Sequence, residues 1–289
     1  MKPLRNRLLE ARKRLGIPWE VLERDYLLSW ILAGINQVES LHHTLIFKGG
    51  TALKKCYFGD YRFSEDLDFS AVDNVPKENE MEMAVKEVCV TAQKLLDEYA
   101  PAEITCERYT EREPHPAGQE AFNIRARFPW HGRSQARAMI EIATDEKILK
   151  PATERTVIHK YGEPLKTRVK VYSLEEIVAE KLRAILQHQQ RLKERGWARS
   201  RARDYYDLWR VLSTYRQQLN ITDFPNFLRE KCAFRGVSFK DAGAFFQPAM
   251  LSYVEKTWNE WLGPLVPDLP SFNTVMTDLR PRIEALLSS

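Results

Sequence analysis

Two carboxylates and a pair of glycines are the residues of this chain best placed to do chemistry. Asp66 and Asp68 stand two apart in Arg62-Phe63-Ser64-Glu65-Asp66-Leu67-Asp68-Phe69. On a strand that spacing turns both side chains to one face and sends Leu67 and Phe69 to the other. Adjacent carboxylates repel unless a divalent cation neutralises them, and Mg²⁺ is held by one or two carboxylates together with substrate phosphates. Just upstream lies Lys48-Gly49-Gly50-Thr51-Ala52-Leu53. Leu45-Ile46-Phe47 before it reads as a short buried strand. The two glycines let the backbone turn sharply and approach a ligand closely. A helix starting at Thr51 would offer free N–H groups to a triphosphate. Ser64, two residues before Asp66, is expected to face the same site and donate to a phosphate oxygen. Each motif alone is common. Together, in strand-helix-strand order within about twenty residues, they point to metal-assisted chemistry on a phosphorylated substrate.

The elements that must position these groups can be read along the chain. Residues 3–14 form a basic amphipathic helix, and Trp19 to Val38 a longer, largely buried one that Pro18 can precede. Asn79 to Tyr99 carries Met81, Ala84, Val88, Thr91, Leu95 and Leu96 at helical spacing. Three strands are expected over residues 102–109, 121–128 and 136–143, so a mixed α/β unit follows. From Ser173 the character is helical. Ser173 with Glu176 predicts a capping box, and the helix it opens ends at Gly196. Further helices are expected over residues 203–215, 224–231, 250–262 and 272–287, with a domain boundary near Val171.

The chain has 289 residues, of which 29% are charged, and a formal net charge of +4. That composition is globular and permits a nucleic-acid partner without requiring one. The four cysteines form no CxxC pair, so neither a zinc knuckle nor a disulfide framework is expected. No signal-peptide pattern opens the sequence, and a soluble, cytoplasmic protein without a membrane partner is expected. Glu141, flanked by Met139, Ile140 and Ile142, reads either as a third metal carboxylate or as a solvated residue on an edge strand. The basic residues Lys193, Arg195, Arg199, Arg201 and Arg203, with Trp197 among them, form a candidate RNA-binding strip or a solvated loop. Arg125, Arg127, Arg133 and Arg137 could extend it. The six histidines form no cluster.

Gly49-Gly50-Thr51-Ala52-Leu53 and Arg62-Phe63-Ser64-Glu65-Asp66-Leu67-Asp68-Phe69-Ser70 resemble the first motif of the AbiEii/AbiGii toxin family, which includes the MenT-type toxins. A second motif of that family resembles Ala179-Glu180-Lys181-Leu182-Arg183 with Arg203-Asp204-Tyr205-Tyr206-Asp207-Leu208. The resemblance spans about residues 40–215. It implies an α+β fold: a nucleotidyltransferase (polymerase-beta-like) mixed-sheet core with N-terminal helices over residues 1–171. A C-terminal helical domain, residues 172–289, would complete the active site. It implies Asp66, Asp68, Lys181 and Asp204 as catalytic residues. Lys48, Gly49, Gly50, Thr51, Ser64, Lys181 and Arg203 would bind nucleotide, and Asp66, Asp68 and Glu141 the metal. Asp204 would orient Lys181 or act as base, and Asp207 would hold its helix in place.

The implied activity is transfer of nucleotides from an NTP to the 3′ acceptor end of tRNA, with Mg²⁺, or Mn²⁺ in its place. Such a toxin would block aminoacylation and arrest growth, in a toxin–antitoxin or phage-defence pair with a cognate antitoxin. Two other readings stay open: nucleotidylation of a protein hydroxyl, and a nucleotide-sensing, partner-binding module without turnover.

Overall fold

A computed structural model describes residues 1–72, 74–110, 119–132, 135–196 and 200–288. The chain divides into two units, the first comprising residues 1–146 and 152–171, the second residues 147–151 and 172–289.

The first unit is built on a seven-stranded mixed sheet. Its strands are β1 (Leu45–Lys48), β2 (Asp66–Ala71), β3 (Glu103–Arg108), β4 (Gln119–Arg127), β5 (Ala136–Ala143), β6 (Thr153–Thr156) and β7 (Arg168–Val171). Their order across the sheet is β3-β4-β5-β2-β1-β7-β6. The β2–β5 and β1–β7 pairs are parallel and the others antiparallel. Alternation decides the faces. Leu67, Phe69, Ile140, Ile142, Phe122, Ile124 and Ala126 are all buried on one side. That side meets α2 (Trp19–Gln37) and α5 (Glu78–Leu96), which also pack on each other. Helix α2 is buried around most of its circumference, as an apolar helix in a core must be. At their crossing Gly34 leaves no room for a side chain, since a Cβ there would lie 2.6 Å from the Val88 carbonyl oxygen.

Helices α1 (Leu4–Leu15) and α3 (Glu39–His42) flank α2, and Gly16 caps α1 in the left-handed conformation at φ 65°. The turn after β1 departs from expectation. Its helix, α4, starts at Gly49 rather than Thr51, runs only to Ala52, and widens into a π-turn over Leu53–Tyr57. The wider turn brings Lys55 onto α2, where its Nζ meets Asp25 Oδ2 at 2.8 Å and Ser29 Oγ at 2.9 Å. Tyr161 completes this buried cluster by donating to Asp25 Oδ2 at 2.7 Å.

In the second unit, α6 (Leu174–Arg195), α7 (Ala202–Thr214), α8 (Phe224–Phe234), α9 (Pro248–Leu262) and α10 (Phe272–Leu287) pack around one another, with short 3₁₀ turns at Arg216–Gln218 and Ala242–Phe245. Ser173 caps α6 by accepting from the Glu176 N–H at 3.2 Å. The reciprocal half of the expected capping box is missing, because the Glu176 carboxylate accepts from the Leu149 and Lys150 amides and pairs with Lys231 at 2.6 Å. Lys231 also reaches Glu180 at 2.9 Å, so one buried ammonium ties α8 to two carboxylates of α6. Among the described residues no helix is long and apolar enough to cross a membrane.

Candidate active site

Strand β2 presents Asp66 and Asp68, both half-buried, on the sheet face opposite the buried Leu67 and Phe69. The neighbouring strands fill in around them. On β5, Glu141 is the register partner of Asp68, and a parallel partner in register shares its face. On β1, Lys48 is the antiparallel partner of Asp68 and lies on that face too. Glu141 is not on an edge strand: β5 sits between β4 and β2, and Gln119 of β4 donates to Glu141 Oε2 at 3.1 Å. The solvated-edge reading of Glu141 is therefore corrected. Lys48 pairs with Glu146 at 3.5 Å.

The glycine turn is pressed against the Asp68 carboxylate. Gly49 has φ +79°, and a Cβ built on it would lie 2.4 Å from Asp68 Oδ2. Only glycine satisfies both the left-handed backbone and the contact. Gly50 is bound by a different neighbour, the buried Arg62, whose Nη2 stands 2.3 Å from where a Cβ would be. Arg62 Nη1 donates to the Phe63 carbonyl at 3.0 Å. Thr51 Oγ1 donates to the Asp66 carbonyl at 2.5 Å, which fixes α4 to the start of β2. The turn thus meets the carboxylate strand at Asp66 and Asp68, and the segment leading into it at Arg62. Ser64 is buried, but residues 62–65 are not strand, so its predicted alternation with Asp66 does not apply.

Asp66, Asp68 and Glu141 share a face without closing into a metal cage: among the described residues no group of three or more His, Cys, Asp and Glu side chains is gathered tightly enough to enclose an ion. Two carboxylates on one sheet face nevertheless suit Mg²⁺, which keeps several waters and can take its remaining oxygens from a substrate.

In the helical unit, α6 and α7 build a second constellation. Lys181 Nζ lies 2.9 Å from Asp204 Oδ1 and 2.7 Å from Asp207 Oδ2. Three apart on a helix, the two aspartates present to one side. Asp207 is fully buried, whereas the Asp204 side chain keeps some exposure. Arg201 Nη1 donates to Asp204 Oδ2 at 2.9 Å. Burial would raise the Asp204 pKa, but the charges of Lys181 and Arg201 and their hydrogen bonds outweigh it and hold the carboxyl well below its ordinary range. A carboxylate so stabilised is a weak base, which favours orientation of Lys181 over proton abstraction.

The basic strip is less open than its residue types suggested. Arg201 is spent on Asp204 and on His188, whose own pKa falls to about 3 through burial and the Arg201 charge. Arg203 stacks over the Trp261 ring at 5.2 Å, a partner that no local signal announced. Arg195 is exposed at the end of α6. Trp197 and Arg199, like Arg133, lie outside the described residues. Arg125 pairs with Glu107, and Arg127 with Glu103 at 3.6 Å, as cross-strand ion pairs on β3–β4.

The family profile described as "Nucleotidyl transferase AbiEii toxin, Type IV TA system" matches residues 30–289. No curated protein matches the chain. Among solved structures, the chain is similar to MenT4, the nucleotidyltransferase toxin Rv2826c from Mycobacterium tuberculosis H37Rv. The identity is 22%, the TM-score 0.62, and the match covers 98% of this chain and 89% of that one. At that identity the likeness shows a shared fold, and the predicted mixed-sheet α+β core is the fold observed. With the glycine turn and its facing carboxylates inside the matched region, the chain belongs to the AbiEii nucleotidyltransferase toxin family of type IV toxin–antitoxin systems.

Proposed function

We propose that this toxin transfers nucleotides from an NTP to the 3′ acceptor end of tRNA, in a reaction that depends on Mg²⁺. The observation that carries the reading is the seating of Gly49 on Asp68, with a would-be Cβ 2.4 Å from the carboxylate. A ligand cradled by that turn has its phosphates beside the carboxylate pair. Asp66 and Asp68 would hold the metal, with Glu141 next to them. Bound there, Mg²⁺ would offset charge on the triphosphate and make the α-phosphate a better electrophile.

The chain's own residues do the rest. The backbone of Gly49, Gly50 and Thr51, with Lys48 and Ser64, receives the triphosphate. The acceptor hydroxyl attacks the α-phosphate and pyrophosphate leaves, a displacement governed mainly by positioning and charge neutralisation. Lys181 and Arg203 are assigned to the triphosphate, and Asp204 to orienting Lys181, on the motif they carry rather than on any distance to the strand carboxylates. Lys181, fixed between two aspartates, is a point charge that need not reorganise when phosphate arrives. Arg195, with Arg199, is assigned to RNA, whereas Arg201 is engaged by Asp204 and His188. Extension of the acceptor end would block aminoacylation and arrest growth in the cytoplasm, until the antitoxin that the family implies restrains it. Defence against phage is the setting in which such arrest would be useful.

The test incubates purified protein with Mg²⁺ and each α-labelled NTP, against total tRNA and against total protein. Label on tRNA 3′ ends, lost with Asp66→Ala and Asp68→Ala, supports the reading. Label on protein alone transfers the activity to a protein hydroxyl. Growth arrest that survives both substitutions would point to a binding module without turnover.

A further inference from the structure

The cysteines have no part in that chemistry, yet two of them are brought together. Cys89 is buried on α5 and Cys106 is half-exposed on β3, the edge strand of the sheet. The pairing follows from one hydrogen bond. Gln93 of α5 accepts the backbone N–H of Ile104 on β3 at 2.9 Å, which pins helix to strand. Cys89 lies one helical turn before Gln93, about 6 Å along the axis. Cys106 lies two residues after Ile104, about 6.7 Å along the strand and on its same face. The chain reverses direction between α5 and β3, so these displacements run the same way and set the two thiols opposite each other. The two thiols therefore face each other across the helix–strand seam and influence each other's ionisation, and the charge of Lys86, a further turn back on α5, acts on Cys106.

We propose that Cys89 and Cys106 are a redox-active dithiol that a hydroperoxide converts into an intramolecular disulfide, stapling α5 to the edge strand. The division of labour is set by environment. The neighbouring Cys89 thiol and the Lys86 charge draw the Cys106 pKa below its ordinary value against its partial burial, while the Cys106 thiol and burial push Cys89 up. The more exposed, more acidic thiol is the one a peroxide meets. The Cys106 thiolate attacks a peroxide oxygen, the O–O bond breaks, and the departing oxygen leaves as water or an alcohol after taking up a proton. Cys106 is then a sulfenic acid. The Cys89 sulfur loses its proton and attacks the Cys106 sulfur. The S–S bond forms, the S–O bond breaks, and water leaves. Two electrons pass from the sulfur pair to the peroxide, and a dithiol reductant returns them. Cys56 and Cys232 stay out of the reaction, since both are buried and burial raises their thiols to about 12 and about 11.

The test treats the full-length native protein with hydrogen peroxide, then denatures it in iodoacetamide. Trypsin cuts after Lys86, Lys94 and Arg108, so the disulfide would join peptides 87–94 and 95–108. The expected result is loss of two of the four alkylatable thiols, an intact mass lower by two hydrogens before alkylation, appearance of that linked peptide, and reversal by dithiothreitol. In Cys89→Ser the sulfenic acid on Cys106 should persist and be trapped by dimedone. Four thiols surviving peroxide, or Cys106 passing to sulfinic acid while Cys89 stays alkylatable, would overturn the proposal. So would dimedone labelling absent from Cys106 in Cys89→Ser.

Discussion

Replacing Gly49 by alanine should separate stability from chemistry. The substitution has two costs. A non-glycine residue at φ +79° is strained by about 1–2 kcal/mol. The new methyl also meets the Asp68 carboxylate, with Oδ2 at 2.4 Å, Cγ at 3.2 Å and Cβ at 3.3 Å. The backbone of the turn is held by Thr51 and β1, so the carboxylate is the part that yields, by rotating off the turn. The first cost lowers Tm by about 2–3 °C in a chain of 289 residues. The second removes a preorganised charge, worth about 3–4 kcal/mol of transition-state stabilisation, or a fall of about 10²–10³-fold in kcat/KM. Gly16→Ala is the internal control: its φ is +65°, but nothing lies within 4 Å of the added Cβ. It should lose comparable Tm and keep its rate. Nucleotide-transfer kinetics and thermal unfolding of both variants decide the matter. A Gly49→Ala enzyme with wild-type kcat/KM would refute the argument that this glycine exists to seat Asp68.

Three further outcomes follow from the same geometry. Asp207→Ala should cost about 3–5 kcal/mol of stability by stripping Lys181 of its fully buried partner, while Asp204→Ala should lose less stability and more activity; Tm and kcat for the pair distinguish these roles. Lys231→Met should destabilise by about 3–5 kcal/mol in thermal unfolding, since Glu176 and Glu180 would be left as close, largely buried carboxylates. Burial opposes ionisation of Glu163, but the nearby His159 ring and hydrogen bonds from Tyr26 and Arg7 lower its pKa from 4.5 to about 2. Its stabilisation is therefore complete above pH 4.5 and fades as pH falls towards 2. Tm measured across that window should fall more steeply for wild type than for Glu163→Gln.

The site was legible where local spacing alone sets geometry. Asp66 and Asp68 needed only the period of a strand, and Asp204 with Asp207 only the period of a helix. Residues whose partners lie far along the chain were opaque. Nothing near Glu141 announces Gln119, nothing near Arg203 announces Trp261, and Arg201 looked available to RNA until Asp204 and His188 were found beside it. Strands β6 and β7 escaped notice for another reason. At four residues each, with Thr153–Thr156 exposed throughout, they carry too little alternation to register, and pairing with β1 and with each other creates them. The π-turn over Leu53–Tyr57 was likewise invisible, because it depends on Lys55 finding Asp25 and Ser29 on α2.

The most direct measurement is anomalous diffraction from crystals grown with Mn²⁺ and a non-hydrolysable NTP analogue. The account predicts an anomalous peak coordinated by carboxylate oxygens of both Asp66 and Asp68, with the triphosphate lying along Gly49 and Gly50. A peak elsewhere, or the two aspartates turned into separate surroundings with nucleotide bound away from the turn, would contradict it.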